Sequence, residues 1–422
     1  MKWIILFPLM LVLSACSLFL DNIPQNDEPE YNLPLVWESD IERVFSSKTV
    51  SDDTGIYVYN FKKDNFADVR LMKIDPETGK AIWITDYFGN NIQWCQPIIM
   101  DNYIFVFIKD NIILCFDKTS GTKLAQVKLI YDNPNMWVNS GYCQYNNFFY
   151  FGIGDTNISD YYLARINIDS INKNGNPQDQ EFKPELLWQS HNNRRIYARP
   201  LVYNDVVYCH TVTLSPSIPI EFGGININTK EELFYTTMGG DKDYYYDSGG
   251  SPNSLFVKDD VLYYLGGNLW AYDLQSNKWL YRIEFNSLDI NFNPYSAAGR
   301  TDPVFYKNRI YYTNTASNAM GEKDVRNIFC VDARSGKLVW SAIAKNSESL
   351  GTNPVIYNNK VFVTESTGIR VYNADSGALI GVEKNIEGDS TSNNQLFGNK
   401  MITIRLSAQY PDGQLIALDL SK

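Results

Sequence analysis

Short apolar stretches that alternate with polar positions recur along the whole chain, bounded by Asn, Asp, Gly or Pro. The clearest is Ile328–Trp340, in which one alternating run ends at Asp332 and a second leads out to Trp340. A period of two is typical of a half-buried β-strand, and a short connection between Asp and Gly is typical of a hairpin turn. The stretch therefore predicts a β-hairpin.

The hairpin phrase is a repeat unit, because copies of it recur at intervals of roughly 35–55 residues, the spacing of a propeller blade. A second pair of alternating strands precedes each copy, as at Asn353–Val363, so each repeat comprises four strands. Copies of the hairpin phrase lie at Leu71–Trp83, Leu114–Ala125, Leu163–Trp188 with an insertion, Ile225–Phe234, Leu269–Tyr281, Ile328–Trp340, Ile369–Gly381 and Leu415–Lys422.

The eighth repeat is split between the two termini. Leu33–Ser39 reads as an outer strand without an inner half, and the copy around Asp419 ends at its turn. Pairing of these two pieces closes a ring and removes free sheet edges. The sequence therefore predicts an all-β fold, a single eight-bladed β-propeller of four-stranded antiparallel blades over residues 33–422. The N-terminal strand closes it by pairing with the C-terminal blade.

Because the hairpin phrase recurs along the chain, we assign a structural role to the residues that its copies share. A Gly suits a turn position with positive φ, and a Trp offers a large surface to bury between neighbouring blades. We therefore interpret the following as blade-docking residues: Trp37, Asp75, Gly79, Trp83, Gly121, Trp188, Asp332, Gly336 and Trp340.

The phrase Asp-x-x-(Ser/Thr)-Gly-Lys-x-x-Trp resembles the tryptophan-docking repeat of the PQQ-type, or quinoprotein-like, β-propellers. The resemblance spans almost the whole chain and is fullest at Leu71–Trp83 and Ile328–Trp340. Enzymes of that family hold the quinone PQQ under a disulfide of adjacent cysteines, with a Ca²⁺ ion beside it. This sequence has no Cys-Cys pair and no Cys-x-x-Cys-His haem motif. The expectation is therefore the fold without a cofactor and without catalytic residues.

Residues 1–16 predict an export signal. An apolar run, Trp3–Leu13, follows Lys2 and is too short to span a membrane as a helix. Leu-Ser-Ala-Cys at residues 13–16 resembles the bacterial lipobox, which implies lipidation of Cys16; an ordinary secretory signal and a non-cleaved anchor are the alternatives. Ser17 stands where Asp would favour retention in the inner membrane, so we expect the outer membrane. Residues 17–32 are polar, acidic and contain Pro, which predicts a flexible tether.

Net charge and cysteine content limit which partners, metal sites and disulfides we expect. The net charge of −11 argues against nucleic acid, which selects stripes of Lys and Arg. Besides Cys16, five widely spaced cysteines remain, and there are only two histidines, neither with an evident partner in the sequence. This pattern predicts buried free thiols rather than a metal site and leaves one disulfide open. The five are Cys95, Cys115, Cys143, Cys209 and Cys330.

Two groups of residues are candidates for binding. The residues that precede the first strand of each repeat should ring one mouth of the central channel, either as a solvated, internally paired lining or as a site for a small anionic or polar ligand. They are Lys48, Gln96, Gly141, Arg199, Asn253, Asp302, Asn353 and Asn393.

Loops between blades open on the same face and carry aromatic residues, which suit protein interfaces or sugar stacking, or else pack over the blades. Three insertions, Asp169–Pro184, Thr213–Phe222 and Ala316–Arg326, read as recognition loops or idle surface. The candidate interface residues are Trp94, Trp137, Tyr244, Tyr245, Tyr246 and Tyr295.

Architecture, anchor and repeat together resemble the BamB-like lipoproteins of outer-membrane protein assembly. The resemblance implies a non-catalytic, monomeric scaffold that is exported, lipid-anchored to the cell envelope and bound to protein partners there. The alternatives are a surface lipoprotein that binds glycans or small ligands, and a PQQ-dependent dehydrogenase-like enzyme. Fold alone does not choose among these functions.

Overall fold

Eight small antiparallel sheets follow one another along the chain in the computed structural model. The structure describes residues 28–42, 49–62, 65–89, 96–109, 111–155, 160–174, 179–196, 199–212, 221–237, 255–265, 269–283, 303–313, 328–342, 352–365, 367–386, 394–405 and 413–421. Each sheet is one blade, so the predicted eight-bladed propeller of four-stranded blades is confirmed. Within these ranges two short 3₁₀ helices, Ile168–Ser170 and His191–Asn193, accompany the strands.

Blades are numbered 1 to 8 in chain order, and strand β1 belongs to blade 8. In the first half of the ring the strands are β1 (Leu35–Glu42); β2 (Val50–Asp52), β3 (Gly55–Lys62), β4 (Asn65–Ile74) and β5 (Ala81–Ile84) in blade 1; β6 (Ile98–Met100), β7 (Tyr103–Ile108), β8 (Ile112–Asp117) and β9 (Lys123–Leu129) in blade 2; β10 (Trp137–Val138), β11 (Cys143–Tyr145), β12 (Phe148–Asp155) and β13 (Asp160–Asn167) in blade 3; β14 (Asp179–Phe182), which joins blade 2; and β15 (Glu185–Gln189) in blade 3.

The second half follows the same plan. Its strands are β16 (Arg195–Ile196), β17 (Leu201–Tyr203), β18 (Val206–Val212), β19 (Glu221–Asn226) and β20 (Glu232–Thr237) in blade 4; β21 (Leu255–Lys258), β22 (Val261–Leu265), β23 (Leu269–Asp273) and β24 (Lys278–Ile283) in blade 5; β25 (Val304–Tyr306), β26 (Arg309–Thr313), β27 (Ile328–Asp332) and β28 (Leu338–Ala342) in blade 6; β29 (Val355–Tyr357), β30 (Lys360–Glu365), β31 (Gly368–Asn373) and β32 (Leu379–Glu383) in blade 7; and β33 (Gln395–Phe397), β34 (Lys400–Arg405) and β35 (Gln414–Asp419) in blade 8.

The first strand of each blade lies innermost. First strands of neighbouring blades contact one another, as β25 does with β29, β29 with β33, and β33 with β2 across the closure. The second and third strands carry the almost continuous apolar runs that fill the space between blades. We call the end of the ring where first strands begin the upper face, and the end that carries the Asp-to-Gly turns the lower face.

The predicted closure is confirmed. Strand β1 pairs antiparallel with β35, with Leu35 opposite Leu418 and Glu38 opposite Ile416, and it forms the outermost strand of blade 8. Trp37 then reaches blade 1, where its indole N–H donates to the carbonyl of Pro76 at 2.9 Å. The N-terminal strand therefore ties the last blade to the first.

Residues 28–33, which the sequence assigned mostly to the flexible tether, are attached to blade 7. Tyr31 N–H donates to the carbonyl of Val382 at 3.0 Å, and Val382 N–H donates to the carbonyl of Pro29 at 2.8 Å. Glu30 bridges Val382 in the parallel direction. We call residues 28–33 the strap. Because its backbone is hydrogen-bonded to β32, the strap is attached to the propeller and is not a free tether; residues 17–27 lie outside the described part of the chain.

The insertion at Asp169–Pro184 also adds a strand instead of a free loop. Its strand β14 pairs in parallel with β9, the outermost strand of the preceding blade, with Phe182 opposite Leu129. Phe182 packs on the apolar cluster between blades 2 and 3. The sequence missed this pairing because the partner strand lies in another repeat. The other two insertions fall largely outside the described residues.

A common turn joins the third and fourth strands. In blade 6, the Asp332 carboxylate accepts hydrogen bonds from the N–H and hydroxyl of Ser335, both at 2.8 Å, and Gly336 N–H donates to the carbonyl of Asp332 at 2.9 Å. These bonds to Ser335 lower the pKa of Asp332. Gly336 has a φ of 66°, as the positive-φ turn requires. Asp332 therefore has a structural role, and the turns at Asp75 and Asp117 repeat its hydrogen bonds.

An aromatic ring from the preceding blade covers the turn glycine. A Cβ atom built on Gly79 would lie 2.4 Å from the ring of Trp37, and one built on Gly377 would lie 2.5 Å from Trp340. The Trp340 indole N–H also donates to the carbonyl of Ala374 at 2.9 Å. The same contact joins Trp83 to Gly121 and Tyr281 to Gly336. Docking therefore needs both the ring and the missing side chain.

Two turns lack the glycine, and docking changes there. The equivalent residue in blade 4 is Lys230, with a φ of 62°, and in blade 5 it is Asn277, with a φ of 55°. Trp188 of blade 3 donates its indole N–H to the Glu232 carboxylate at 2.7 Å instead of to a turn carbonyl. Blade 4 presents Phe234, which has no N–H and stacks on Tyr272 of blade 5. Where the turn residue carries a Cβ, the aromatic residue of the preceding blade therefore makes other contacts.

Replacing Gly336 with alanine tests this requirement. We expect Gly336→Ala to lower the free energy of unfolding by about 1–3 kcal/mol, because Cβ would meet the Tyr281 ring and φ would be strained. Lys230→Gly is the matched control at the same turn position and should cost less than about 0.5 kcal/mol. Guanidinium unfolding followed by tryptophan fluorescence measures both; equal effects would contradict the docking model.

Truncating a docking ring should have a larger effect. Trp340→Ala is expected to cost about 3–5 kcal/mol, as large-to-small changes in protein cores do. Val339→Ala, at a neighbouring exposed position, should stay within about 0.5 kcal/mol. Unfolding midpoints report the difference. Loss of partner binding by Trp340→Ala at an unchanged midpoint would show that Trp340 belongs to a binding site.

Candidate functional site

Charged groups on the lower face join neighbouring blades. Lys118 of blade 2 pairs with Asp52 of blade 1 at 3.1 Å, with both side chains less than one-fifth exposed. Hydrogen bonding to Thr54 and Lys118 outweighs desolvation and lowers the pKa of Asp52. Arg309 of blade 6 likewise reaches Asp375 of blade 7 at 3.2 Å. These charges on the lower face are therefore engaged within the ring.

The predicted ring at the channel mouth is only partly within the described residues. Gln96 and Arg199 are half-buried on the upper face. Asn353 is buried, and its amide donates to the carbonyl of Asn394 at 2.7 Å, while Asn394 donates back to the carbonyl of Asn353 at 3.0 Å. The Asn353 side chain thus joins blades 7 and 8. Lys48, Asn253, Asp302 and Asn393 lie outside the described residues, and the backbone at Gly141 is buried.

The exchange between Asn353 and Asn394 belongs to a larger polar network that sequence reasoning missed. Thr364 and Thr403 both donate to the Asn394 side-chain oxygen, at 3.2 and 2.7 Å. Thr352 donates to the carbonyl of Thr364 at 3.2 Å. These residues are buried. Blades 7 and 8 therefore satisfy the polar groups near the axis internally, which favours the internally paired lining for this sector of the channel.

Exposed aromatic residues on the upper face are stacked with cations. Trp137 is 38% exposed, and the Arg195 guanidinium lies over its ring at 4.9 Å from the centroid. Tyr87, 39% exposed, has the Arg70 guanidinium 4.9 Å from its ring centroid. An arginine holds each ring in one orientation while much of the ring stays accessible. The other candidate interface residues, Trp94, Tyr244, Tyr245, Tyr246 and Tyr295, lie outside the described residues.

A histidine cluster on the outer part of blades 3 and 4 was not evident in the sequence. His191 Nε2 lies 2.7 Å from Glu232 Oε2, the oxygen that also accepts from the Trp188 indole. The His191 ring packs at 4.7 Å from Tyr235 and 5.6 Å from Trp188, centroid to centroid. The three rings contact one another, so the cluster joins the two blades rather than enclosing a ligand.

The second histidine, His210, is fully buried between blades 4 and 5 with its ring 5.0 Å from Tyr264. Burial lowers its pKa to about 4. The four described cysteines, Cys115, Cys143, Cys209 and Cys330, form no disulfide with one another. Burial raises the pKa of Cys209 to about 12 and that of Cys330 to about 11. None of these groups is suited to act as a nucleophile or base near neutral pH.

No three His, Cys, Asp or Glu side chains among the described residues lie close enough together to hold a metal ion. The sequence has no adjacent cysteines to cover a quinone. No helix in the described part of the chain is long and apolar enough to cross a membrane.

Blade number, blade closure and aromatic docking on turn glycines make the protein an eight-bladed β-propeller. Solved structures share this fold. A quinohemoprotein alcohol dehydrogenase from Comamonas testosteroni aligns with a TM-score of 0.64 at 11% identity, over 92% of this chain and 76% of that one. A europium-containing methanol dehydrogenase aligns with a TM-score of 0.62 at 11% identity, over 92% and 93%.

The sequence match is more particular. Residues 258–422, most of blades 5–8, match the family model described as outer membrane protein assembly factor BamB, which confirms the predicted resemblance over that part of the chain. The crystal structure of BamB from Moraxella catarrhalis aligns at 13% identity over 94% of this chain and 93% of that one, with a TM-score of 0.38, too low to support a structural argument. No curated protein sequence matches the chain.

Burial of His210 predicts acid sensitivity. Its pKa is about 4 in the folded protein and about 6.5 when exposed, so below pH 6.5 the unfolded chain binds the proton more readily. The stability contributed by the neutral ring is complete above pH 6.5 and falls by roughly 3 kcal/mol as pH approaches 4. We expect His210→Gln to lose less stability than wild type between pH 7 and 4 in guanidinium titrations; parallel losses would contradict this assignment.

Proposed function

We propose that the protein is a non-catalytic scaffold of the bacterial cell envelope, lipid-anchored at Cys16 and acting with protein partners in outer-membrane protein assembly. The match of residues 258–422 to the BamB family model carries this proposal. The lipobox-like segment before Cys16 supplies the anchor. Two or three acyl chains on one cysteine give durable attachment, because several chains exceed the weak hold of a single chain.

An anchor at Cys16 limits the distance between such a scaffold and the membrane surface. The strap begins at residue 28, so residues 17–27 alone connect the anchored cysteine to the ring. Fully extended, they span at most about 40 Å. The edge of blade 7 would then stay within that distance of the membrane surface. Partners with domains close to the membrane suit this arrangement.

The described polar groups favour a scaffold over an enzyme. Asp332 and its counterparts hold turns, and charged groups of the lower face pair across blades. His210 is buried and neutral, and His191 is bound to Glu232. What remains accessible on the described upper face includes two arginine-backed aromatic rings, Trp137 and Tyr87. Aromatic and arginine side chains are enriched where proteins bind one another.

The same two rings support a second candidate function, a surface lipoprotein that binds glycans. An exposed aromatic face fixed by a neighbouring cation offers a platform for the apolar face of a sugar. Trp137→Ala would abolish glycan binding in this case, while Val339→Ala on the rim would leave it intact. A saturable response of wild type on a glycan panel favours this alternative over the scaffold.

Affinity capture from detergent-solubilised membranes tests the scaffold directly. The tagged full chain should recover a defined set of outer-membrane assembly proteins, and a Trp137→Ala, Tyr87→Ala double variant should recover at least about fivefold less of them. Val339→Ala serves as the control. Capture of the tagged chain alone contradicts the scaffold, and dye-linked alcohol oxidation after addition of PQQ and Ca²⁺ would establish an enzyme instead.

The anchor has its own test. In cells grown with an alkyne fatty acid, the wild-type protein should become labelled and stay in the membrane fraction. The Cys16→Ala variant should lose both properties, because no other residue takes the acyl chains. Cys115→Ala, which changes a buried thiol, is the matched control. Labelling of Cys16→Ala, or membrane retention without it, contradicts lipidation at this site.

A further inference from the structure

The outer edge of blade 7 contains a groove that the strap fills. Gly381 lies where other blades carry the docking aromatic residue, and a Cβ built on it would meet the Pro29 carbonyl oxygen at 2.8 Å and Tyr31 Cβ at 2.9 Å. The groove therefore admits a backbone at van der Waals contact because no side chain is present. Two main-chain hydrogen bonds with Val382 hold that backbone in the parallel direction.

Side-chain contacts make the groove selective. Arg370 is 5% exposed; its Nε pairs with Glu365 at 2.8 Å and its Nη2 with Glu28 at 2.9 Å. Three residues further along the strap, the Tyr31 hydroxyl accepts from Lys360 Nζ at 2.6 Å, and its ring packs edge-on against Phe362. The groove thus binds a carboxylate through Arg370 and, three positions later, an aromatic ring with a hydroxyl through Lys360 and Phe362.

The strap can leave without opening the ring. Ring closure rests on β1, which begins at Leu35 and is paired with β35. Pro34 marks the junction, and its carbonyl accepts from Asp419 N–H at 2.9 Å. Up to Tyr31 the strap adds a short parallel segment with two backbone hydrogen bonds to an outer edge, where opening costs least. Leu33, at its end, is buried in the cluster between blades 7 and 8, and its N–H donates to the Glu383 carboxylate at 2.8 Å, so this residue stays with the ring. Its occupancy is therefore separable from the fold.

We propose that this groove is a peptide-binding site, closed in the resting protein by the strap, for an extended segment of a partner protein that carries an acidic residue three positions before a tyrosine. Main-chain pairing would give affinity, and Arg370 and Lys360 would give selectivity, as in strand addition to sheet edges generally. Displacement would free residues 28–32 and lengthen the tether by about 16 Å. That consequence rests on the proposed anchor at Cys16; peptide binding does not.

The test uses the full chain and a fluorescent peptide with the sequence of residues 26–34. An opened variant, Glu28→Gln with Tyr31→Ala, weakens the strap and leaves every groove residue unchanged. If the strap fills the groove more than nine-tenths of the time, anisotropy should show the opened variant binding the peptide at least about tenfold more tightly than wild type. A scrambled peptide should not bind.

Substitutions in the opened background locate the site. Gly381→Ala should abolish peptide binding because Cβ occupies the path of the peptide backbone, and Arg370→Gln should weaken it about tenfold or more. Arg165→Gln, which breaks a similar arginine pair with Glu185 on blade 3, is the matched control and should leave binding unchanged. Circular dichroism melts must show that each variant is folded.

Three outcomes overturn the proposal. The folded opened variant fails to bind the peptide, or Gly381→Ala binds as well as its parent. Alternatively, the Tyr31 and Val382 amides exchange with deuterium as slowly as those of β34, which would make the strap a permanent part of the fold. Dimers of wild type on size exclusion that vanish in the opened variant would assign the groove to a second copy of this chain. None of these readouts depends on Cys16, so the anchor can fail while the groove stands.

Discussion

The ring depends on one contact, an aromatic side chain lying on a turn that has no side chain of its own. Trp37 on Gly79 joins blade 8 to blade 1, and Trp340 on Gly377 joins blade 6 to blade 7. The position requires glycine for two reasons: its φ is positive, and a Cβ atom would occupy the space of the aromatic ring. Each contact therefore joins two neighbouring blades.

Where the docking aromatic residue is absent from a blade, the chain adds a strand to the outer edge of that blade. Ala125 in blade 2 and Gly381 in blade 7 take the docking position, and these are the blades whose outermost strands carry a parallel segment. Phe182 and Tyr31 from those segments pack into the two interblade clusters. An aromatic side chain from outside the repeat thus replaces the missing ring. Each added strand therefore supplies apolar packing at a position that lacks the docking ring.

Sequence patterns predicted what is local and repeated. Strand alternation, the Asp-to-Gly turn and the split eighth blade each depend on residues a few positions apart or on comparison between copies, so blade number and closure followed. The strap contacts could not be predicted, because Glu28 and Arg370 occupy no repeat position together and pair across most of the chain. The same holds for β14, whose partner strand lies one repeat away, and for His191 with Glu232.

The candidate channel-mouth ring stays a prediction, and the structure adds contacts that the sequence did not give. Placing Asn353 in that ring required only knowledge of which strand is innermost; Asn353 precedes the first strand of blade 7, and first strands of neighbouring blades contact one another. Whether its amide faces a ligand or a neighbour depends on Asn394 in the next blade, which no pattern within one repeat reveals. The distinction between positions shared by the repeats and positions that differ between them applies to the whole molecule. The repeated positions join blades, so we assign the proposed recognition of partners to positions that differ between blades, such as Trp137 with Arg195 or Gly381 with its strap.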